Sequence, residues 1–264
     1  MILDKILRHK RAEVAARRSD VPITDLKAHA ADAPKPLDFA GALSRNDAGL
    51  PAVIAEVKKA SPSKGVIRED FDPVSIAKSY ERAGASAISV LTDEKFFQGS
   101  LDYLARIKQN VMLPVLRKDF IIDEYQLFEA RAAGADAVLL IVAALEKDAL
   151  VRLMDCADDL GMQCLVEIHD ESEMDAALET GAGLIGINNR NLYTFEVSLD
   201  TTSRLLRSAE CGLRNEGRKI VSESGIFTRS DMAKLGRLGV DAALIGEALM
   251  RERDIEAKLR ELIS

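Results

Sequence analysis

One short pattern recurs along this chain and constrains its fold more than any other feature. Ala83-Gly84-Ala85-Ser86-Ala87-Ile88-Ser89-Val90 resembles Ala133-Gly134-Ala135-Asp136-Ala137-Val138-Leu139-Leu140. Both resemble Gly181-Ala182-Gly183-Leu184-Ile185-Gly186 and Gly239-Val240-Asp241-Ala242-Ala243-Leu244-Ile245-Gly246. Each reads as a glycine that ends a helix in the left-handed conformation, then a tight turn into a strand. The strands are apolar without a break. That implies burial on both faces, hence a parallel sheet under helices. Eight stretches have this character: Ala52–Val57, Ala87–Leu91, Val115–Leu116, Ala137–Val142, Cys164–Ile168, Leu184–Ile187, Ile220–Val221 and Ala242–Ile245. Helical patterns lie between them, for example from Ile76 to Ala83, from Tyr125 to Ala132 and from Leu150 to Leu160. Eight strands alternating with helices over this length predict an α/β fold, a (β/α)8 barrel. An open doubly wound sheet is the alternative. It is disfavoured because no glycine-rich dinucleotide fingerprint follows the first strand.

Residues 1–48 stand outside the repeat. They read as an N-terminal helical extension of one barrel domain spanning 1–264, too short and too broken by Pro34 and Pro36 to hold a core of their own. Ile2, Leu3, Ile6 and Leu7 lie at helical spacing, and a helix from Ile2 to Arg18 is expected. Arg8, Lys10, Arg11, Arg17 and Arg18 cover its other side; Asp4 and Glu13 interrupt the run, so it reads as a solvated face. Phe39 to Leu43 is expected to form a short helix. With a net charge of -7 and interspersed signs, the chain is not read as a nucleic-acid binder. The charged amphipathic start is no signal peptide, and no apolar run reaches membrane-spanning length. Cys156, Cys164 and Cys211 lack metal-ligand spacing and read as reduced thiols of a cytoplasmic protein. A monomer is expected, with a dimer as the alternative, because Ile2 and Leu3 could face a partner chain as easily as the barrel.

In a (β/α)8 barrel the working groups sit at the C-terminal ends of the strands. The first strand ends Glu56-Val57-Lys58-Lys59, and period-two alternation puts Glu56 and Lys58 on one side. The third ends at Lys118, the fifth at Glu167-Ile168-His169, the sixth at Asn188-Asn189-Arg190-Asn191. The seventh ends Ser222-Glu223-Ser224-Gly225, the eighth Gly246-Glu247. Any one of these is as often a solvated loop residue; several converging on one mouth must find partners or shift their pKa values. Mixed charges around one pocket suit acid/base work on an anionic substrate. Ser224-Gly225 and Gly246 offer backbone N–H groups where such barrels hold phosphate. Ser61-Pro62-Ser63-Lys64-Gly65 reads as a mobile phosphate-covering loop. Glu247 beside a dianion is expected to point outward. His169 reads as a loop or supporting histidine. No metal-ligand set and no need for a nucleotide cofactor are visible, so no cofactor is expected.

Six motifs, in order, resemble those of indole-3-glycerol phosphate synthase. They are Ile54-Ala55-Glu56-Val57-Lys58-Lys59-Ala60-Ser61-Pro62-Ser63, Leu91-Thr92-Asp93-Glu94-Lys95-Phe96-Phe97-Gln98-Gly99-Ser100, Leu116-Arg117-Lys118-Asp119-Phe120, Val166-Glu167-Ile168-His169, Ile187-Asn188-Asn189-Arg190-Asn191-Leu192 and Ser222-Glu223-Ser224-Gly225-Ile226. The resemblance covers nearly the whole chain, in the form not fused to phosphoribosylanthranilate isomerase. It implies a cofactor-free step of tryptophan biosynthesis on a phosphorylated small molecule, 1-(2-carboxyphenylamino)-1-deoxyribulose 5-phosphate. Ring closure and loss of CO2 and water give indole-3-glycerol phosphate. By this resemblance Lys118 is the general acid for closure and Glu167 serves in later proton transfers. Lys58 holds the benzoate carboxylate, with a share of the acid role as the alternative that leaves open which lysine acts at which step, and Glu56 positions Lys58. Asn188, Arg190 and Glu223 bind and orient the substrate. Phe97, Phe120 and Leu192 wall its ring, and Ser61, Ser224, Gly225, Gly246 and Glu247 (through its backbone) hold phosphate. The sign of any pKa shift at Lys118 stays open, because a second cation and two glutamates oppose each other. A phosphosugar isomerase and a non-catalytic phosphometabolite-binding barrel stand as alternatives.

Overall fold

A computed structural model describes residues 2–192, 194–208 and 217–264. Eight parallel strands close on themselves: β1 Ala52–Val57, β2 Ala87–Leu91, β3 Val115–Lys118, β4 Ala137–Ile141, β5 Gln163–Ile168, β6 Leu184–Asn188, β7 Lys219–Glu223 and β8 Ala242–Ile245. β8 pairs with β1 in register Ala52↔Ala242 to Ala55↔Ile245, which closes the cylinder. The expected barrel is present, and the open sheet is not.

The strands are buried on both faces because two apolar layers need them. Inside lie Ile54, Leu116, Leu139, Leu165, Val221 and Leu244. Outside, Val53, Ile88, Val138, Val166 and Ile185 pack under the helices. A helix returns the chain between successive strands: Pro73–Ala83, Leu101–Lys108, Glu124–Ala132, Lys147–Asp159, Glu171–Glu179, Asp200–Ser208 and Arg229–Arg237; Ile255–Ile263 follows the last strand. Asp72, Ser100, Asp123, Asp170, Thr228 and Asp254 cap helix N-termini through their side chains. Gly84, Gly134, Gly181 and Gly239 all have positive φ, between 76° and 96°, as the repeat predicted.

The N-terminal segment reaches both ends of the barrel. Phe39 and Leu43, from the short helix Phe39–Ala42 and its cap, are fully buried among the interior residues at the strands' N-terminal ends. The first helix, Ile2–Asp20, lies at the opposite end, where Ile2, Leu3 and Ile6 line the mouth. Ile2 and Leu3 therefore face this barrel. The basic side of that helix is not the solvated face expected. Lys10 is fully buried, and Arg17 is mostly covered and paired with Glu13, Glu94 and Glu129. The physical reason is long-range: Lys10 Nζ lies 3.0 Å from Asp93, 2.9 Å from Asp119 and 3.0 Å from Glu13.

Smaller differences concern strand ends. β3 and β7 run on to Lys118 and Glu223, so these charged residues occupy the last strand positions rather than loops. Residues Ala60–Ser61 and Gly65–Val66 pair as a small antiparallel hairpin. Cys156 and Cys164 are free thiols, partly buried; Cys211 lies outside the described residues. Among the described residues no helix is long and apolar enough to cross a membrane.

Candidate active site

Strand alternation, not loop chance, aims the charged groups. Glu56 on β1, Lys118 on β3, Glu167 on β5 and Glu223 on β7 come from alternate strands and form one layer at the C-terminal end of the barrel. Asn188, the last residue of β6, and Lys58, just past β1, complete it. Every site residue expected from the sequence lines this one pocket: these six, Ser61, Phe97, Phe120, Arg190, Leu192, Ser224, Gly225, Gly246 and Glu247.

Lys118 is the hub. Its Nζ lies 2.8 Å from Glu167 Oε2 and 3.1 Å from Glu223 Oε2, and its side chain is 13% exposed. Lys58 Nζ pairs with Glu56 Oε2. Asn188 joins three neighbours: its Nδ2 donates to Glu167 Oε1 at 3.2 Å, and its Oδ1 accepts from Ser224 Oγ and from the Arg190 N–H. Below the layer, the Nδ2 of buried Asn189 donates to Ser222 Oγ and the carbonyls of Glu223 and Ser224, which holds the sixth and seventh strand ends together.

Burial and charge oppose each other here. Burial lowers the Lys118 pKa, but Glu167, Glu223 and Glu56 more than offset it, so the ammonium is held above its ordinary value. That settles the sign that the sequence left open. Burial raises Glu167, yet Lys118 and His169 outweigh it and keep it a carboxylate well below the usual range. Glu223 goes the other way: burial and the repulsion of Glu167 and Glu56 outweigh Lys118 and push it up to about 7. Its Oε1 is buried and makes no hydrogen bond. Of the two carboxylates paired with Lys118, Glu223 is the one whose pKa lies near neutrality.

Two glycines make room for these carboxylates. A Cβ on Gly186 would overlap Glu223 Oε1, and one on Gly246 would overlap Glu56 Oε2. Gly246, expected as a phosphate turn, therefore also clears space for an ionic pair. Ser224 (φ 67°) and Gly225 (φ 79°) both sit in the left-handed region, which costs the serine but not the glycine. Glu247 does not point outward as expected. It lines the pocket, with Oε1 2.8 Å from Arg251 and Oε2 3.8 Å from Arg190. Gly246 is the N-cap of the short helix Glu247–Met250 and brings no side chain to that helix start.

The other wall is apolar. Phe97 and Phe120 stand 6.1 Å apart between ring centroids, and Leu192 and Ile6 continue the surface. Three features were missed or undervalued in the sequence. Ile2, Leu3 and Ile6 roof the pocket, although their pattern shows only a helix with an apolar face. Asp119 anchors Lys10 and Arg117 directly behind Lys118. His169 is nearly buried between Glu167 and Glu173; the spacing from 169 to 173, one helical turn, is the only local signal for the second contact. Among the described residues no group of three or more His, Cys, Asp or Glu is placed to hold a metal ion.

The sequence profile described as Indole-3-glycerol phosphate synthase matches residues 3–262 of this chain. The indole-3-glycerol phosphate synthase of Laribacter hongkongensis is 52% identical over 264 residues, covering 100% of this chain and 99% of the relative. That of Neisseria meningitidis is 52% identical over 262 residues, covering 99% and 98%. Among solved structures, a tryptophan synthase α-subunit variant from Pyrococcus furiosus superposes with a TM-score of 0.61 at 15% identity, covering 80% of this chain and 97% of that one. KGPDC from Streptococcus mutans gives 0.61 at 11%, covering 81% and 96%. At such identities these two speak for the barrel alone. The family profile and the relatives alike at both chain ends place the sequence: this chain belongs to the indole-3-glycerol phosphate synthase family.

Proposed function

We propose that the Lys118–Glu167–Glu223 cluster carries the proton transfers of this family's reaction, the conversion of 1-(2-carboxyphenylamino)-1-deoxyribulose 5-phosphate to indole-3-glycerol phosphate. The observation that supports it is one ammonium held between two carboxylates and facing an aromatic wall. In ring closure the ring carbon bearing the carboxylate attacks the ketone. Electron density moves onto the ketone oxygen, and Lys118 supplies the proton it needs. The new carbon–carbon bond leaves the ring cationic, so loss of CO2 restores its aromaticity. Dehydration then breaks the bond to the hydroxyl, which takes a proton from the Glu223 carboxyl and leaves as water. The adjacent methylene gives up a proton, and Glu167, held as a carboxylate, is the acceptor.

The remaining groups position. Lys58 exchanges its contact with Glu56 for the benzoate carboxylate. Phe97, Phe120 and Leu192 sandwich the ring. Glu223, whose carboxyl is pushed up to about 7, donates in its protonated form to a substrate oxygen while Asn188 and Arg190 orient the chain. The phosphate lies on the backbone of Ser224-Gly225 and Gly246-Glu247, under the hairpin that carries Ser61. Arg190 and Arg251 offset the Glu247 carboxylate there. Gripping the dianion at one end and the ring at the other folds a flexible substrate into reacting geometry.

The test is an absorbance or fluorescence assay of indole formation with Lys118→Ala and Glu167→Gln. Loss of a general acid or base is expected to lower kcat by about 10²–10⁴-fold with KM little changed. Wild-type turnover in either variant would sink the assignment. Stoichiometric CO2 release separates this reaction from a phosphosugar isomerisation.

A further inference from the structure

We infer that His169 is a positioning residue for the reaction: wedged between Glu167 and Glu173, it is a doubly protonated imidazolium that clamps the Glu167 carboxylate and keeps it ionised. This rests on the reading of Glu167 as a proton acceptor. Glu167 has three polar neighbours, and each takes a defined edge. Lys118 Nζ meets Oε2 at 2.8 Å, Asn188 Nδ2 meets Oε1 at 3.2 Å, and His169 Nε2 lies 3.2 Å from the same Oε1. The far nitrogen, Nδ1, lies 3.0 Å from Glu173 Oε2, which also accepts the backbone N–H of residue 169 at 2.8 Å.

The chemistry of the ring follows from its partners. A neutral imidazole has one N–H and one lone pair, so it can satisfy only one of two flanking carboxylates and turns a lone pair toward the other. With a carboxylate oxygen within 3.2 Å of each nitrogen, the doubly protonated ring is the form that both neighbours favour. The side chain is 9% exposed, so water does not replace either partner. His169 Nε2 is buried and lacks hydrogen-bond alignment to Glu167, although it is within ion-pair distance. The contact is thus a charge held close to an edge of the carboxylate, free to tighten when Lys118 turns to the substrate.

The consequence appears when Lys118 gives up its proton or swings to the ketone oxygen. Glu167 then loses its nearest cation while remaining buried beside Glu223. Without a second cation it would take a proton too early and could not accept one from the methylene. His169 supplies that cation from behind, out of the substrate's way. The charged groups facing the pair are Lys118, Glu223 and Glu56 from the third, seventh and first strands, and Asp170 and Glu173 from the loop and helix after the fifth. Glu173, on the far side of the ring from Glu167, balances the imidazolium.

The test compares the pH dependence of kcat/KM in wild type, His169→Gln and Glu173→Gln, with Glu167→Gln as reference. Removing a cation this close to a carboxylate is expected to move the acidic limb up by roughly 1 pH unit or more in His169→Gln. Glu173→Gln should move it less. An acidic limb unmoved in His169→Gln, with Glu167→Gln inactive, overturns the inference and leaves the reading of Glu167 standing. Full activity in Glu167→Gln instead overturns that reading. If His169→Gln does not fold, nitrogen NMR of the wild-type protein decides, since the chain has only three histidines. Two protonated ring nitrogens at residue 169 at pH 8 are expected; a neutral tautomer there overturns the inference.

Discussion

Glu223 shows how a single side chain can carry the electrostatics of the whole cluster. Lys58 and Lys118 bring two positive charges, and Glu56, Glu167 and Glu223 bring three carboxylates, so the layer balances when one carboxylate is neutral. Cation contact selects Glu223: Glu167, just as buried, has Lys118 at 2.8 Å and His169 beside it, whereas Glu223 has Lys118 at 3.1 Å and an Oε1 without a partner that abuts Gly186. Its pKa in the folded chain, about 7, lies above its ordinary value of 4.5. The folded state therefore binds the proton more tightly than the unfolded chain does. Its contribution to stability is full below about 4.5 and is lost as pH rises through about 7. Glu223→Gln mimics the protonated form at every pH. Its melting temperature relative to wild type should rise between pH 5 and pH 8, as read by thermal unfolding. A difference that stays flat or falls over that range would show that Glu223 is ionised throughout. Most of this layer was legible in the sequence, because each residue ends an apolar run and period two aims it inward. Which carboxylate keeps the proton was not, since that depends on distances between strands.

The first helix is the element whose role a linear reading missed most. Its apolar stripe was visible, and it packs where such a stripe must. Its basic face looked solvated because, apart from Glu13 on the same helix, the partners are remote in sequence: Asp93 and Asp119 for Lys10, Glu94 and Glu129 for Arg17. Charge spacing within a helix cannot reveal such contacts. The loop from Ser61 to Gly65 is a similar case: its serines and glycine were read, but the pairing of Ala60 with Val66 that shapes it was not. Structurally, Lys10 joins the helix to the loops after β2 and β3, which carry Phe97 and Phe120. Asp119 lies next to Lys118, and burial opposed by Arg117 and Lys10 leaves its carboxyl far below the usual range. Lys10→Met would leave Asp93 and Asp119 buried with less compensation. Breaking a buried pair this way costs about 3–5 kcal/mol, and a shallower midpoint shift in denaturant would be seen if Arg117 alone suffices for Asp119. In whatever fraction stays folded, KM should rise, because Ile2, Leu3 and Ile6 no longer hold their places over the ring. An unchanged midpoint with unchanged KM would remove the helix from the site.

At the scale of the molecule, closure brings the two ends of the barrel sequence together. β1 is hydrogen-bonded to both β2 and β8, so the first strand is sheltered only once the last has arrived. The recurrence of glycine turns and unbroken apolar strands made this topology readable, whereas the strand lengths at Lys118 and Glu223 were set by pairing across the sheet. The last helix, Ile255–Ile263, seals the seam by packing on Pro73–Ala83, the first helix of the barrel proper. Ile255, Leu259 and Leu262 are buried there, Ile263 Cδ1 approaches Gly84, and Tyr80 donates to the Glu56 carbonyl beneath. Burying three such side chains contributes about 5–9 kcal/mol, at roughly 1.5–3 kcal/mol each. Against a typical total stability of about 5–15 kcal/mol, that helix is not dispensable. A chain ending at Arg253 should lose its cooperative thermal transition and bind a hydrophobic dye at the exposed seam. Cooperative unfolding near the wild-type temperature would mean that the strand pairing of β1 with β8 holds the cylinder closed without its cover.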